Sequence, residues 1–407
     1  MPGCRQSTKP PETAGKTGYP TNTVRIFISA GEASGDLYAS RVVETLRARH
    51  PDAEFFGCAG PRMQAAGVRA IVDSRSIAVA GLVEVVAHIP RIWGEFRKLV
   101  RAAADQKPDL AILTDAPDFH LRLAKKLKKL GIPIVYLIAP QAWAWRSGRV
   151  RIMRERINRL LCIFPFELEF FESRGVPTTY LGHPLARIVR PSMTRAEFFN
   201  KLALPTDGRI IVLLPGSRHG EVERHMPALF DAVRLIRKRQ PVHFVLALPP
   251  GFHAEGASFW ERARAESIQV QEGITWDALA YAELALAASG TVTIESALLG
   301  TPLVSFYRVN ALSWILGRWL VRAPFLSMVN LVAGREIAPE LIQGDMTGER
   351  IAAEAIRLLD DDAARTQMRA DLAEVAALLA SRDDPMETAA GWIEKVFSES
   401  KNMVHAG

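Results

Sequence analysis

The chain has 407 residues, more than the roughly 250–300 at which single hydrophobic cores stop growing, so two domains are expected. Hydrophobic residues make up 48% and charged residues 23%, which is typical of a soluble globular protein and excludes an intrinsically disordered chain. The formal net charge of +7 suits a phosphorylated substrate, an anionic membrane surface or a nucleic acid, and does not choose among them.

Cysteine usage and the N-terminal segment bear on the compartment. The three cysteines have no paired spacing, which excludes a disulfide framework and a cysteine-type zinc site and predicts a reducing, cytoplasmic setting. Residues 1–22 are polar and contain no apolar core of the signal-peptide kind, so we expect a flexible leader. No uncharged apolar run reaches the roughly 18 residues of a membrane-spanning helix, so any membrane contact is expected to be peripheral.

Short apolar runs alternate with helical patterns in the first half of the chain. The run VRIFIS (24–29) leads into a loop of small residues, SAGEASGD, and DLAILTD (109–115) and IPIVYLIAP (132–140) follow with helical patterns between them. This βαβ order, with strands that are apolar throughout, is typical of a parallel sheet buried on both faces. We expect residues 23–190 to form a Rossmann-like domain.

A second series of strands begins after a stretch rich in proline and charge around 184–208, at RIIVLLPGSR. We place a second Rossmann-like domain at 205–375 and expect 376–407 to form a helix and tail that can pack back on the first domain. The predicted fold class is therefore α/β, with two doubly wound domains facing each other across a cleft. Ligands of such folds bind at the carboxyl ends of the strands.

The first loop, SAGEASGD, spaces Gly31 and Gly35 as G-x-x-x-G. This spacing is neither the dinucleotide-binding nor the P-loop fingerprint, so no cofactor is predicted. Asp36 is expected to cap the helix that follows. For Glu32, capping of that helix and hydrogen bonding to a substrate hydroxyl are equally open.

One loop of the second domain, PGSR, ends a strand with Ser217 and Arg218. A guanidinium beside the free amide groups of a helix start can bind a diphosphate. Ordinary helix capping is the alternative interpretation.

A second loop of the same domain, ASGTVTIES, ends another strand with Ser289, Gly290 and Thr291. Hydroxyl and amide groups there can hold phosphate oxygens, and Glu295 is expected on the first turn of the next helix, where it can accept hydrogen bonds from a ribose. Capping by Ser289 or Thr291 is again the alternative. Because both loops follow strands of one domain, together they favour a sugar-nucleotide site.

Seven segments, in order from about residue 24 to 336, together resemble the lipid-A-disaccharide synthases. They are SAGEASGD, CAGPRMQAAG, TDAPDFHLRLA, APQAWAWR, LLPGSRHGEV, ASGTVTIES and SMVNLVAGRE. The resemblance implies a GT-B fold and an inverting, metal-independent glycosyltransferase. It implies UDP-2,3-diacylglucosamine as donor, 2,3-diacylglucosamine 1-phosphate (lipid X) as acceptor, and a β-1,6-linked disaccharide 1-phosphate and UDP as products.

The resemblance also assigns residues. Asp115 closes an apolar strand of the first domain and matches the family's proposed general base, with Glu32 the next candidate. Asn330 and Arg335 match the family segment NLVAGRE and are expected to line the cleft, without an assigned step. His120 stands where the family more usually has an amide, and the sequence assigns that side chain no role. No metal site is expected.

Acylated substrates imply apolar surface. Residues 82–100 carry an apolar stripe at helical spacing, which is ordinarily core, and we expect that for most of it. Residues 312–332 add Trp314, Trp319 and Phe325 beside arginines, and residues 146–159 hold six arginines and one glutamate. We therefore expect peripheral association with the anionic inner membrane at its cytoplasmic face. A homodimer is left open.

Three other classes of function are weighed against this one. A GT-B glycosyltransferase or an epimerase acting on another UDP-N-acetylglucosamine-type sugar would share the nucleotide loops, but not TDAPDF together with the amphipathic segments. A nucleic-acid-binding protein would explain the positive charge, but no recognised motif supports it, so no nucleic acid is expected as partner. A non-catalytic membrane adaptor would have lost Asp115 or the nucleotide loops, and all are present.

Overall fold

A computed structural model describes residues 23–77, 82–143, 148–310, 314 and 323–405, with the backbone alone for 33, 82–89 and 403–405. The strands of the first half form one seven-stranded sheet in the order β3-β2-β1-β4-β5-β6-β7. They are β1 Arg25–Ser29, β2 Glu54–Ala59, β3 Arg69–Asp73, β4 Leu110–Thr114, β5 Ile134–Leu137, β6 Arg159–Cys162 and β7 Thr178–Tyr180.

Helices connect these strands and lead into the second half. They are α1 Ala33–Arg49, α2 Pro61–Ala65, α3 Leu82–Gln106, α4 Pro117–Lys129, α5 Gly148–Arg156, α6 Pro165–Glu172, α7 Leu185–Ile188 and α8 Arg195–Lys201. Local sequence explains several of their starts. Proline is at the first position of α2, α4 and α6, where no amide is needed, and Thr194 with Glu197 forms a capping box at α8.

The second half forms a six-stranded sheet in the order β10-β9-β8-β11-β12-β13. Its strands are β8 Ile210–Leu214, β9 His243–Leu248, β10 Gln269–Glu272, β11 Leu284–Ala288, β12 Leu303–Tyr307 and β13 Glu340–Ile342. Its helices are α9 His219–Arg237, α10 Trp260–Ala265, α11 Thr275–Tyr281, α12 Thr291–Leu299, α13 Met328–Ala333, α14 Gly348–Asp360, α15 Asp362–Leu379 and α16 Pro385–His405.

Both sheets are parallel, as predicted, and their central strands are fully buried. Every residue of β4, β8 and β11 is buried, which explains why these strands are apolar throughout. The predicted α/β class is confirmed. In the first sheet the strand order reverses between β1 and β4, and in the second between β8 and β11. These two switch points are where ligands bind in folds of this kind.

Two segments carry the chain between the halves. After β7, the His183 amide donates to the Leu379 carbonyl at the end of α15, 2.8 Å away. After α15 the chain returns to the first half, where α16 packs against α1 and Ile393 and Ala389 are buried in the core that Val42 and Val43 also join. The domain limits predicted from the sequence remain a prediction. None of the described helices is long and apolar enough to cross a membrane.

Candidate active site

The loops after β1 and β4 meet at the first switch point. The Gly31 amide donates to Asp115 Oδ1 at 2.7 Å, and the Glu32 amide donates to Asp115 Oδ2 at 2.9 Å. Gly31 and Glu32 belong to the SAGEASGD loop, which therefore binds a carboxylate of its own chain. Two amide bonds to one carboxylate are charge-assisted and fix its orientation.

The two glycines of that loop allow this close approach. A methyl group at position 35 would lie 1.7 Å from Asp115 Oδ2, and one at position 31 would lie 2.7 Å from the Ala116 Cβ atom. Any side chain at position 35 would displace the carboxylate. The G-x-x-x-G spacing is thus explained by packing against Asp115.

Asp115 itself has a strained backbone. Its φ is +51° and that of Ala116 is +32°, in the left-handed region that side chains other than glycine rarely adopt. Pro117 then begins α4. Such outliers persist only where surrounding contacts hold them, and they cluster at functional sites. Here the Asp115 carbonyl accepts hydrogen bonds from the Tyr136 hydroxyl and from His120 Nδ1.

The Asp115 carboxyl titrates close to neutral pH. Burial raises its pKa to about 8, against the lowering effect of the Gly31 and Glu32 amides, and the nearby charges of Glu32 and Asp36 raise it further. A carboxylate with a pKa near the working pH is well suited to accept a proton in a transition state.

Two predictions about the SAGEASGD loop have different outcomes. Glu32 occupies the position before the first turn of α1, but its exposed side chain makes no capping bond, so hydrogen bonding to a hydroxyl stays open. The prediction that Asp36 caps α1 is wrong. Its buried carboxylate accepts from the amides of Arg62 and Met63 and so caps α2, 26 and 27 residues away, a contact that local sequence does not reveal.

The loop after β8 lies at the second switch point. Gly216 has a φ of +132°, and the next two residues, Ser217 and Arg218, are exposed. The Arg218 side chain is 68% exposed and reaches Glu221 Oε1 at 3.4 Å. Glu221 Oε2 accepts from the Ser217 amide at 3.4 Å. The guanidinium therefore lies at the start of α9, as predicted, and faces solvent.

The loop after β11 is adjacent to it. Gly290 precedes the first turn of α12 with no side-chain cap, so neither Ser289 nor Thr291 caps that helix. The Ser289 hydroxyl instead donates to the Leu326 carbonyl at 2.7 Å, while Thr291 is exposed. Glu295 lies on the second turn and not the first, because the helix begins at Thr291. Burial raises the pKa of Glu295, partly offset by a hydrogen bond with Trp276.

The two switch points are on surfaces that approach each other. Burial raises the pKa of Tyr38, on the first turns of α1, to about 12, and the charge of Glu295 on α12 adds to that effect. Ile163 and Phe164, which follow β6 of the first sheet, are buried in the core of the second half. Segments at the carboxyl end of the first sheet therefore lie close to the second half.

Two predicted cleft residues have hydrogen-bond or ion-pair partners within the chain. Asn330 is fully buried; its amide donates to Ala338 and Glu340, and its oxygen accepts from the amides of Ile337 and Ala338. These bonds hold the chain after α13 and do not favour a substrate contact. Arg335 is half exposed and pairs with Asp371 at 2.9 Å and with Glu374 at 3.1 Å on α15. A motif match shows that a segment is shared, but not whether its side chains reach the cleft.

The predictions from sequence did not include three residues that organise the loop after β8 and the end of β12. Tyr307 donates to Glu221 Oε1 at 3.3 Å, and His225 Nδ1 donates to the Pro215 carbonyl at 2.6 Å. His225 Nε2 accepts from the Arg308 amide at 3.1 Å, which ties the loop after β8 to the end of β12. The sequence does point to Glu221, because it lies three residues after Arg218, the residue that precedes the first turn of α9. It does not point to His225.

The residues selected for membrane contact are described only in part. Residues 144–147, 311–313 and 315–322, which include Trp319, lie outside the described residues. On α3, Phe96 is buried as expected, but Trp93 is 46% exposed and stacks on Phe96 with ring centres 5.2 Å apart. Among the residues that the structure describes, no three His, Cys, Asp or Glu side chains converge as a metal site requires.

Solved structures with this arrangement of two facing α/β halves define the class. The glycosyltransferase of kitacinnamycin has a TM-score of 0.61 at 15% identity, covering 93% of this chain and 100% of that one. The calicheamicin glycosyltransferase CalG4 has a TM-score of 0.57 at 15% identity, covering 93% of this chain and 99% of that one. The UDP-GlcNAc 2-epimerase from Neisseria meningitidis, bound to UDP-GlcNAc, has a TM-score of 0.56 at 12% identity, covering 92% and 100%. The fold is that of the GT-B glycosyltransferases.

Sequence relatives identify the family within that class. The lipid-A-disaccharide synthetase family model matches residues 26–390. A lipid-A-disaccharide synthase from Solibacter usitatus is 58% identical over 374 residues, which cover 92% of this chain and 97% of that protein. Another, from Myxococcus xanthus, is 44% identical over 361 residues, which cover 88% and 94%. The chain belongs to the lipid-A-disaccharide synthase family and is a glycosyltransferase of lipid A biosynthesis, which confirms the resemblance in its motifs.

Proposed function

We propose that this glycosyltransferase takes the diacylglucosaminyl group from UDP-2,3-diacylglucosamine and transfers it to the 6-hydroxyl of lipid X. The products are the β-1,6-linked disaccharide 1-phosphate and UDP. Family membership supports the overall reaction. The single observation that carries the residue assignment is the position of Asp115, at the switch point of the first sheet with its carboxylate held by the loop after β1.

In this proposal Asp115 is the general base. The acceptor 6-hydroxyl attacks the anomeric carbon from the face opposite the UDP group, so the configuration inverts and the C–O bond to the diphosphate breaks. The carboxylate of Asp115 takes the hydroxyl proton as the new bond forms. The pKa of about 8, which burial raises from its ordinary value, gives the carboxylate enough basicity to take the proton. Glu32 is the alternative base, because its exposed side chain begins at the same loop.

The departing diphosphate carries the electron pair of the broken bond, and in this proposal the second half stabilises it. The guanidinium of Arg218 would bind the phosphate oxygens, together with the amide groups at the start of α9 and α12 and the hydroxyls of Ser217 and Thr291. Glu295 would accept from the ribose hydroxyls. Because these groups supply the positive charge and dipoles, we propose transfer without a metal ion.

The membrane contact is proposed at the exposed side of α3. A groove of about 830 Å³ lies there, lined by Trp93, Phe96 and Val100 and rimmed by basic side chains. Those basic residues are Arg97, Lys98, Arg101 and Lys126. An exposed tryptophan among arginines and lysines suits the interface of an anionic membrane, where acylated substrates are found. Such contact would spare the enzyme the extraction of acyl chains into water.

Mixing the purified protein with both acylated sugars tests the reaction. UDP release is expected only when both are present, and it is expected to persist with EDTA. UDP-N-acetylglucosamine with the same acceptor is the control donor. Turnover of that control at the same rate as the acylated donor, or no UDP release from either, would contradict the proposed substrates. Loss of activity with EDTA, restored by a divalent cation, would contradict only the metal-independent step.

Co-sedimentation with anionic vesicles tests the membrane surface. Binding is expected to weaken with salt without vanishing, because salt screens the charges but not the apolar contact. Trp93→Ser is expected to reduce binding further. Leu378→Ser is the matched control, since Leu378 is 48% exposed on α15 in the second half. Equal loss of binding in both variants, or none in Trp93→Ser, would contradict this assignment.

A further inference from the structure

A chain of buried, hydrogen-bonded polar groups lies beneath Asp115. Ser29 Oγ lies 2.8 Å from His120 Nε2, and His120 Nδ1 lies 3.0 Å from the Asp115 carbonyl oxygen. The Tyr136 hydroxyl donates to the same carbonyl. Ser29, His120 and Tyr136 are all fully buried, and they come from β1, α4 and β5, the elements around the switch point.

The partners determine where the protons are. A carbonyl oxygen only accepts, so His120 Nδ1 carries the proton and donates to Asp115. Nε2 is then the acceptor, and the Ser29 hydroxyl donates to it. Burial lowers the pKa of His120 to about 4, so the ring is neutral at working pH. Both ring nitrogens are thus used, and the line ends on the main chain of Asp115.

The left-handed backbone explains why that carbonyl needs two donors. With φ values of +51° and +32° at positions 115 and 116, the chain turns sharply after β4. The carboxylate is directed to the Gly31 and Glu32 amides, while the carbonyl is directed into the core. An unpaired carbonyl in the core is unfavourable, so removing its donors would favour another conformation of the turn. The carboxylate would then move with it.

We propose that His120 and Tyr136 are positioning residues for the transfer reaction. They hold the Asp115 main chain in its left-handed conformation, so that the carboxylate stays on the Gly31 and Glu32 amides and faces the acceptor hydroxyl. The proposal rests on the proposed function of Asp115 as general base. Both side chains hydrogen-bond to the main chain of Asp115 and not to its carboxylate; His120 Nδ1 is 3.7 Å from Asp115 Oδ1, too far for a hydrogen bond.

His120→Leu tests this proposal, because the new side chain fills the core but donates no hydrogen bond. His120→Leu is expected to lower kcat on the order of 10- to 100-fold, since small displacements of a reacting group have effects of that size. KM for both substrates is expected to change little, because the nucleotide loops are in the other half. His120→Asn can place an amide N–H where Nδ1 is now, and is expected to restore most of the lost turnover.

The pH profile separates positioning from simple loss of stability. Wild-type activity is expected to rise with pH through the pKa of Asp115, and the midpoint of that rise is expected to move to lower pH in His120→Leu as the carboxyl leaves its buried position. The titratable groups that face Asp115 are Glu32 and Asp36 from the first loop and α1, Cys58 from β2, Tyr136 from β5 and His120. Leucine and asparagine add no charge to this set.

Leu123→Ala is the matched control for stability, since Leu123 is fully buried on the same helix. It is expected to lower the melting temperature without moving the pH midpoint. Tyr136→Phe removes one donor only and is expected to give a smaller loss of kcat, which keeps the test open if His120→Leu does not fold.

Unchanged kcat and an unchanged midpoint in His120→Leu and Tyr136→Phe would overturn the proposal. So would a His120→Asn variant as impaired as His120→Leu. If Asp115 is not the general base, the result is different. Asp115→Asn would then retain turnover, and the activity would show no rise with pH whose midpoint a variant at position 120 could move.

Discussion

The two switch points of this protein use similar loops in opposite ways. After β1 and β4, loop amides bind the carboxylate of Asp115, and glycines at positions 31 and 35 bring the groups together. After β8 and β11, Arg218 is 68% exposed and Thr291 is exposed at the start of a helix. In the first half the polar groups of the loop have partners within the chain. In the second half Arg218 and Thr291 are exposed to solvent, and Arg218 has only a 3.4 Å contact with the neighbouring Glu221.

The difference follows from what each half is proposed to do. Proton transfer in a transition state requires the base within hydrogen-bonding reach of one hydroxyl, so a base held in place before the substrate binds is favoured. A diphosphate is bound by several donors at once, so donors exposed to solvent, such as Arg218, are favoured there. A carboxylate held by loop amides and an exposed guanidinium are therefore both consistent with the proposed transfer reaction.

Asp115→Asn, in the first half, should have the largest effect on turnover. Turnover is expected to fall on the order of 10²- to 10⁴-fold, because an amide cannot accept the proton. Activity that in the wild type rises with pH through about 8, the pKa to which burial raises this carboxyl, should lose that rise. UDP affinity measured by calorimetry should be unchanged. Asp105→Asn, an exposed site on α3, is the control for the charge change. Near-normal turnover of Asp115→Asn would move the base to Glu32.

Gly35→Ala should have the next largest effect, because its methyl group would lie 1.7 Å from Asp115 Oδ2. Alanine is ordinarily the better residue inside a helix, so a loss here is due to the displaced carboxylate. We expect kcat to fall on the order of 10- to 100-fold and the melting temperature to fall as well. Gly94→Ala on α3 is the matched control, since a methyl group there meets nothing within 4 Å.

A double-mutant cycle sharpens this prediction. In an Asp115→Ala background the clashing oxygen is gone, so Gly35→Ala should cost less free energy of unfolding than it does in the wild type. Equal costs in both backgrounds would show that the glycine is needed for some other reason.

Arg218→Ala tests the exposed loops of the second half. The dissociation constant of UDP, measured by calorimetry, is expected to rise roughly 10- to 100-fold, the range for loss of a hydrogen bond to a charged group. The melting temperature should not change, because the side chain is 68% exposed. Arg350→Ala is the matched control, since Arg350 is 57% exposed and also pairs with one carboxylate. Unchanged UDP affinity would remove Arg218 from the diphosphate site.

The smallest effect concerns a second buried carboxyl of the first half. Burial raises the pKa of Glu167 to about 8, against the lowering effects of Trp143 and the amides of Phe164 and Ile163. Because the folded-state pKa is above the unfolded value of about 4.5, its stabilising contribution is full below that value and is lost as the pH rises through about 8. Melting temperatures between pH 6 and 9 should therefore fall less steeply in Glu167→Gln than in the wild type. Glu169→Gln, exposed on the same helix, should keep the wild-type slope.

Much of this arrangement is encoded locally and was predictable. The apolar runs predict buried parallel strands because each strand is covered on both faces. The loops after two strands of the second half predict a sugar-nucleotide site, which stays a prediction. Arg218 was selected because it follows such a strand, and Asp115 because it closes one and matches the family's proposed base. The family resemblance, carried by seven short segments, predicted the class and the reaction that the relatives support.

Which polar groups already have hydrogen-bond partners within the chain could be seen only in the folded structure. The amide of Gly31 meets the carboxylate of Asp115 across 84 residues, and Asp36 caps a helix that begins 25 positions later. Asn330 is buried in the core, although its segment matches the family as well as the loops after β8 and β11 do. Hydrogen-bond partners, burial and the pKa values that follow from them depend on chain segments distant in sequence. Local pattern therefore determined which elements form, and only packing determined which of their polar groups remain available to a substrate.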